Sequence, residues 1–247
     1  MISIPNLFYS RLEPAVFRCR LHRFAAEVET EAGCEVVHIP NSGRLGELLF
    51  PGNRVGLSYE EHPGRLTRYT LVRAGAGAGW AYIDARLPNR ILSRFWRELP
   101  PLRPYQQAYP EKTWGKSRFD LALQSGGAAG RDGPAAPGRM LTTAWLEAKC
   151  VTLVRGRTGL FPDAPTARGR KHLQELIGLT REGKKAFVFF FLQHPGGDCV
   201  QANGETDPEF AAAMTEAAQC GVLFYAYRVE PGEEKVILTE VPVITGA

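Results

Sequence analysis

The chain has no apolar run long enough to cross a bilayer. Its longest, residues 186–192, falls far short of the roughly 20 residues that a spanning helix needs. Its start, M-I-S-I-P-N-L-F, lacks the charged n-region and unbroken apolar h-region of a secretory signal, so neither export nor a membrane partner is expected. Cysteine is scarce. The 5 residues are odd in number and none are spaced C-x-x-C, which argues for reduced thiols in a cytoplasmic protein rather than a disulfide or zinc framework. Lysine is missing from the first third, where every cation before Lys112 is an arginine. Arginine suits bidentate contacts to phosphates and base edges, although a GC-rich genome produces the same bias. A strong charge is missing too: net +4 and a pI near 8.8 permit a nucleic-acid partner without requiring one.

What remains is the composition of a soluble globular protein, 44% hydrophobic and 23% charged, and 247 residues make one large domain or two small ones. Residues 15–28 alternate, with Arg18, Arg20 and His22 on one face and Phe17, Cys19 and Leu21 on the other, as in a half-buried strand with a cationic outer side. E-V-V-H-I-P, R-V-G-L-S-Y, R-Y-T-L-V-R and W-A-Y-I-D-A add short strands separated by Gly/Pro turns. About five such strands fit a small barrel of the OB type, which often binds nucleic acid through basic and aromatic side chains. Between them, P-N-S-G-R-L-G-E-L-L at 40–49 is a glycine-rich bend carrying Arg44. It reads as a phosphate-facing loop or as an ordinary connector.

The second domain is expected from residue 87 to 247, with the barrel at 1–86. Residues 87–99 place Ile91, Leu92, Phe95, Trp96 and Leu99 at helical spacing, and Pro100-Pro101 stop that helix. Thr166 caps a helix to Glu182 with Gly183 beyond its end, and Asp207-Pro208 opens another. Arg168, Arg170, Lys171 and His172 crowd the first of these at the end that its dipole makes unfavourable to cations, by about 0.3–1 kcal/mol each. An anionic partner explains that placement, as does a solvated charged face. A-F-V-F-F-F-L-Q is apolar on both faces and so a central strand. The order β-β-α-β-α-β makes an α/β sandwich with parallel pairing across the helices.

The chemistry concentrates in S-R-F-D-L-A-L at 117–123 and T-T-A-W-L-E-A-K-C-V at 142–151, read as adjacent antiparallel strands. The period of two puts Glu147 and Lys149 on one face, and Asp120 can join them across the pair. Two carboxylates can hold Mg²⁺ or Mn²⁺, and the ammonium can orient an attacking water or offset charge on phosphorus. Taken alone, E-x-K also describes an ordinary ion pair. With its sandwich context, the pattern resembles the core of the restriction-endonuclease-like, or PD-(D/E)XK, nucleases.

Taken together, the blocks R-F-A-A-E-V-E, P-N-S-G-R-L, P-G-N-R-V-G-L-S, L-P-N-R, W-G-K-S-R-F-D, L-E-A-K-C-V-T-L and F-P-D-A-P-T-A-R-G-R-K-H-L-Q-E-L resemble the sugar fermentation stimulation protein family, SfsA, over roughly residues 12–230. The resemblance implies an α/β (α+β) protein: an N-terminal OB-like barrel followed by a restriction-endonuclease-like α/β sandwich. It also implies a DNA-binding role in sugar (maltose) metabolism, with metal-dependent phosphodiester cleavage as the alternative. Asp120, Glu147 and Lys149 match the family's S-R-x-D and E-V-K. Departures are Ala148 for Val, Leu121 for Phe, Ser42 for Thr and Leu45 for Met. H-P-G-R-L at Pro63 has lost the basic charge of the family's N-P-K-R-K, and the Gly/Ala/Pro-rich connector at 125–139 is longer than usual, with no role assigned.

The expectations are therefore DNA as partner, Asp120 and Glu147 as metal ligands, and Lys149 as third catalytic residue. Arg18, Arg20, Arg44, Arg118, Arg168, Lys171 and His172 are expected to contact nucleic acid. The oligomeric state is open, a homodimer included.

Overall fold

The computed structural model describes residues 1–9, 11–60, 64–125 and 144–246. The 125–139 connector lies outside them apart from Ser125, as do His62 and Pro63 of the H-P-G-R-L segment. The first strand, β1 (Ile2–Pro5), does not join the barrel. It pairs antiparallel with residues 235–238 at the other end of the chain, so a boundary at residue 86 misassigns it.

The barrel consists of β2 (Leu12–His22), β3 (Ala25–Thr30), β4 (Gly33–His38), β5 (Arg54–Tyr59) and β6 (Tyr69–Ala76). They lie in the order β4-β3-β2-β5-β6, and a parallel pairing of His38 with Thr70 closes the ring. This is the Greek-key order of an OB barrel. β7 (Gly79–Tyr82) extends it from β6. Phe17, Val28, Val37, Val55, Leu57 and Leu71 fill its core. Residues 15–28 are two strands, not one. β2 turns back at Arg23-Phe24, and register shifts beside Phe17 and Arg20 break the expected alternation, leaving Cys19 and Leu21 exposed. A bulge adds a residue to one strand and re-aims every side chain beyond it.

The rest of the chain follows as α1 (Leu87–Phe95), β8 (Gln107–Trp114), β9 (Ser117–Gln124), β10 (Ala144–Val151), β11 (Leu153–Arg155), β12 (Thr158–Phe161), α2 (Ala167–Arg181), β13 (Lys185–Leu192), β14 (Cys199–Ala202), α3 (Pro208–Gln219), β15 (Leu223–Pro231), β16 (Lys235–Val241) and β17 (Val243–Ile244). Among the described residues seven strands form one sheet, β1-β16-β15-β13-β10-β9-β8, with β13 at its centre. β10, β13 and β15 run parallel, as the helical crossovers demand. β11, β12, β14 and β17 make a smaller second sheet.

β13 explains the layering. Ala186, Val188 and Phe190 face α2 and α3, while Phe187, Phe189 and Phe191 face α1 and the barrel side. Each buried Phe contributes about 1.5–3 kcal/mol through lost water contact, so neither face can be left open. Thr166 caps α2 by accepting from the N–H of Gly169 at 3.0 Å, and Asp207 caps α3 through Phe210 at 2.9 Å. Gly183, at φ +76°, adopts the left-handed conformation just past the end of α2.

The barrel is fixed against the sheet. Gln193 Nε2 donates to the carbonyls of Tyr82 at 2.7 Å and Asp84 at 3.2 Å. The Asp84 carboxylate, fully buried, accepts from the Tyr9 hydroxyl at 2.8 Å and from Arg86. Among the described residues no helix is long and apolar enough to cross a membrane.

Candidate active site

β9 and β10 pair antiparallel from Ala144 opposite Leu123 to Leu146 opposite Leu121. A side chain then takes over from the ladder: Asp120 Oδ2 accepts the N–H of Ala148 at 2.7 Å. Its other oxygen accepts Asn89 Nδ2 from α1 at 2.6 Å. The Asp120 pKa is pushed up to about 6, first by burial and then by Glu147, with the Ala148 N–H, Lys149 and Asn89 working against the shift.

Glu147 is 4% exposed. Its Oε1 takes Lys149 Nζ at 2.6 Å and also meets Nδ1 of His172 from α2. Burial acts to raise its pKa, but Lys149 and His172 outweigh burial and hold the carboxyl below its usual range. Oε2 is buried without a hydrogen-bond partner among the described residues. An unpartnered buried carboxylate oxygen is costly unless something else meets it.

Asn89, Asp120, Glu147 and Lys149 line one cavity of about 610 Å³ between the domains. The barrel supplies its other wall through Arg23, Ser42 and Gly43, the β12–α2 connection supplies Asp163, and the first turn of α2 supplies Arg168. Arg20 holds that barrel wall. Its guanidinium donates to the carbonyls of Arg44 at 2.6 Å, Arg23 at 2.7 Å and Gly43 at 2.8 Å. Asp163 Oδ2 accepts the N–H of Arg44 at 3.0 Å. Gly43 is required there, since a Cβ would stand 2.1 Å from that same oxygen. Burial raises the pKa of Asp163 against the pull of the Arg44 N–H. Burial also lifts the Cys150 thiol well above its usual range, which removes it as a thiolate nucleophile.

Asp120, Glu147 and Lys149 thus line one cavity. Among the described residues no three His, Cys, Asp or Glu are placed to hold a metal ion. Two carboxylates with one open oxygen nevertheless suit Mg²⁺, which keeps several waters and takes only one or two protein carboxylates.

The expected nucleic-acid contacts divide. His172 is a correction: it is 3% exposed, packed on Phe119 at 5.7 Å between ring centroids and bound to Glu147, so it is a buried partner of that carboxylate and not a surface contact. The i, i+4 spacing of His172 and Leu176 on the buried stripe of α2 was the available signal. Arg20 is a second correction, its donors spent on loop carbonyls. Arg18 lies at the exposed barrel surface between Glu27 at 3.4 Å and Glu29 at 3.6 Å. Arg118 is exposed and 3.6 Å from Glu111. Arg44 and Lys171 are exposed, and Arg168 is exposed at the cavity edge. Asn89, Arg23 and Asp163 were not anticipated. Nothing local in the sequence marks them, because the packing of α1 on β9 and of the barrel on the β12–α2 connection brings them to the site.

Residues 86–235 match the sugar fermentation stimulation protein RE domain, and residues 19–83 match the SfsA N-terminal OB domain. The sugar fermentation stimulation protein homolog of Alkaliphilus metalliredigens is 37% identical over 91% of this chain and 92% of its own length. That of Carboxydothermus hydrogenoformans is 39% identical over 88% and 90%. A solved structure of Pyrococcus furiosus SfsA in complex with Ca²⁺ superposes with a TM-score of 0.83 at 27% identity, covering 98% of this chain and 99% of that one. With both domains matched in order and relatives aligned along nearly their whole length, the chain belongs to the sugar fermentation stimulation protein family.

Proposed function

We propose that the protein binds DNA and hydrolyses its phosphodiester bonds at Asp120, Glu147 and Lys149, with a divalent cation held by the two carboxylates. Glu147 carries this reading: it is buried, pinned through Oε1 by two donors, and its Oε2 has no partner among the described residues. A protein that only held DNA would gain nothing from a buried carboxylate with an open oxygen. The Ca²⁺ bound by the Pyrococcus furiosus relative supports a divalent cation in this family, and Mg²⁺ or Mn²⁺ is the ion suited to phosphodiester chemistry. Such a cation supplies Lewis-acid polarisation of a phosphoryl oxygen. Asp120 is steadied for the role by Asn89 and the Ala148 N–H. Lys149 directs its ammonium to the same cavity, where it can orient water and offset charge gathering on the phosphate. Arg23 and Arg168 stand at the cavity wall to meet the backbone on either side.

A second reading is favoured by one observation: Lys149 Nζ lies only 2.6 Å from Glu147 Oε1, so its charge is already partly spent. On that reading the domain is a DNA-binding scaffold serving the regulation of sugar (maltose) metabolism, and it does not cut. Incubation of purified protein with single- and double-stranded DNA in Mg²⁺ or Mn²⁺, beside Lys149→Ala, separates the two. Hydrolysis predicts a loss of about 10²–10³ in kcat for the variant, with DNA affinity held within a few-fold. DNA bound but left intact by the wild type supports the scaffold.

A further inference from the structure

A second basic pocket of about 460 Å³ lies beside the first, and Arg168 lines both. It is built from two elements. The β8–β9 turn and the start of β9 bring Lys116, Ser117 and Arg118, and the first turns of α2 bring Arg168, Lys171 and His172. Of the four basic side chains at the start of α2, two are accounted for within the protein. Arg170 pairs with Asp207 at 2.9 Å and Glu209 at 3.1 Å, and His172 meets Glu147. Arg168 and Lys171 are left at the positive end of the helix dipole, in a first turn with no acidic residue.

The negative charge near this pocket is thin. Lys171 reaches Glu175 only at 3.9 Å and donates to the Lys116 carbonyl at 2.7 Å. Arg118 reaches Glu111 at 3.6 Å with both side chains exposed, a pairing worth little in water. Lys116 and Arg168 have no ion-pair partner among the described residues. An independent observation points the same way: Ser117 is 4% exposed, lines the pocket, and its hydroxyl has no hydrogen-bond partner among the described residues. Unpaired cations, a helix N-terminus and an open hydroxyl donor together make the chemistry of a phosphate site.

We propose that this pocket is a phosphate-binding subsite for the nucleic-acid strand held at the reaction centre, taking a phosphate further along the backbone from the reacting one. The inference rests on the nucleic-acid reading above and adds the path of the strand: past Arg168, across the wall formed by His172, to Lys116 and Lys171. The phosphate is either an internal diester or a terminal monoester.

The test measures binding by the full-length protein in EDTA, where nothing is cut. The probes are short single-stranded DNAs ending in a 5′-phosphate, a 3′-phosphate or hydroxyls. Lys116→Ala and Lys171→Gln are compared with wild type, their folding checked by thermal melts, with Lys116→Arg as the charge-retaining control. The subsite predicts about tenfold weaker binding for each neutral variant and near-normal binding for Lys116→Arg. Weakening of all probes alike, with the slope of log K against log salt shallower by about 0.7, identifies an internal phosphate. Weakening confined to one phosphorylated end identifies a terminal one. Folded variants that keep wild-type affinity and slope for every probe overturn the subsite. The two readings fail separately: wild type that binds but never cleaves removes only hydrolysis, and wild type that cleaves but ignores these substitutions removes only the subsite.

Discussion

His172 Nδ1 and Lys149 Nζ converge on the same oxygen of Glu147, Oε1, and hold the carboxylate so that Oε2 meets no partner among the described residues. Lys149 comes from the same strand as Glu147, while His172 comes from α2, so the carboxylate orientation depends on how the helix packs on the sheet. His172→Ala should weaken Mn²⁺ binding by about 10–100-fold, the usual cost of losing a group that orients a ligand. His172→Asn, which keeps a donor, should recover part of it. Calorimetric titration separates this from a merely structural role, which would lower the melting temperature and leave the Mn²⁺ Kd unchanged.

Metal should also stabilise the fold. An ion bound only by the folded protein adds about 2.7 kcal/mol at 100 times its Kd, or roughly 5–10 °C in Tm for a chain of this size. Mn²⁺ should raise the melting temperature of wild type by that amount and leave Asp120→Asn and Glu147→Gln unmoved. Equal shifts in all three proteins would place the ion elsewhere.

Asp120 makes the metal-free protein pH-dependent in a defined window. Its carboxyl ionises at about 6 in the fold, raised chiefly by burial, against 3.8 as an ordinary side chain. The native state therefore holds this proton more tightly than the unfolded chain. The stability that the protonated group contributes is complete below about pH 4 and is lost as pH rises through about 6. A shift of two units corresponds to on the order of 3 kcal/mol. In EDTA, Asp120→Asn should gain on wild type by that order between pH 4 and pH 6, with the gap level above pH 7. Denaturant unfolding across this range checks it, and a gap independent of pH would show that Asp120 is not perturbed.

Much of this architecture is written locally. An unbroken apolar run predicts β13 as central because each face of Ala186–Leu192 must be covered, and Thr166 and Asp207 cap the helices through bonds that span three residues. Glu147 and Lys149 share a face because the strand period is two, and Asp120 joins them because β9 and β10 pair as antiparallel neighbours. What escaped is what depends on distant packing. Ile2–Pro5 finds its partner across the whole chain. The shifts in β2 turn Cys19 and Leu21 outward without any glycine to announce them. Asn89 and Asp163 look like ordinary turn or helix-start residues until α1 and the β12–α2 connection are set against β9 and the barrel.

Arg20 and Arg18 differ in a way that binding measurements can read. If both touched phosphate, replacing each by Ala would shallow the salt dependence of duplex binding by about 0.9. The structure predicts otherwise. Arg18 sits between Glu27 and Glu29 at an exposed surface, where water and salt screen such pairs, so Arg18→Ala should leave the slope and the melting temperature near wild type. Arg20 is half-buried and its donors are bound to the carbonyls of Arg23, Asn41, Gly43 and Arg44, where charge-assisted bonds are worth about 1.5–3 kcal/mol each. Arg20→Ala should therefore lower the melting temperature and loosen the 41–44 loop over the cavity. It should weaken DNA binding by misplacing that wall and leave the salt slope nearly unchanged. Salt titrations paired with thermal melts decide it: a slope shallower by about 0.9 in Arg18→Ala at an unaltered melting temperature would return the outer barrel face to the DNA interface.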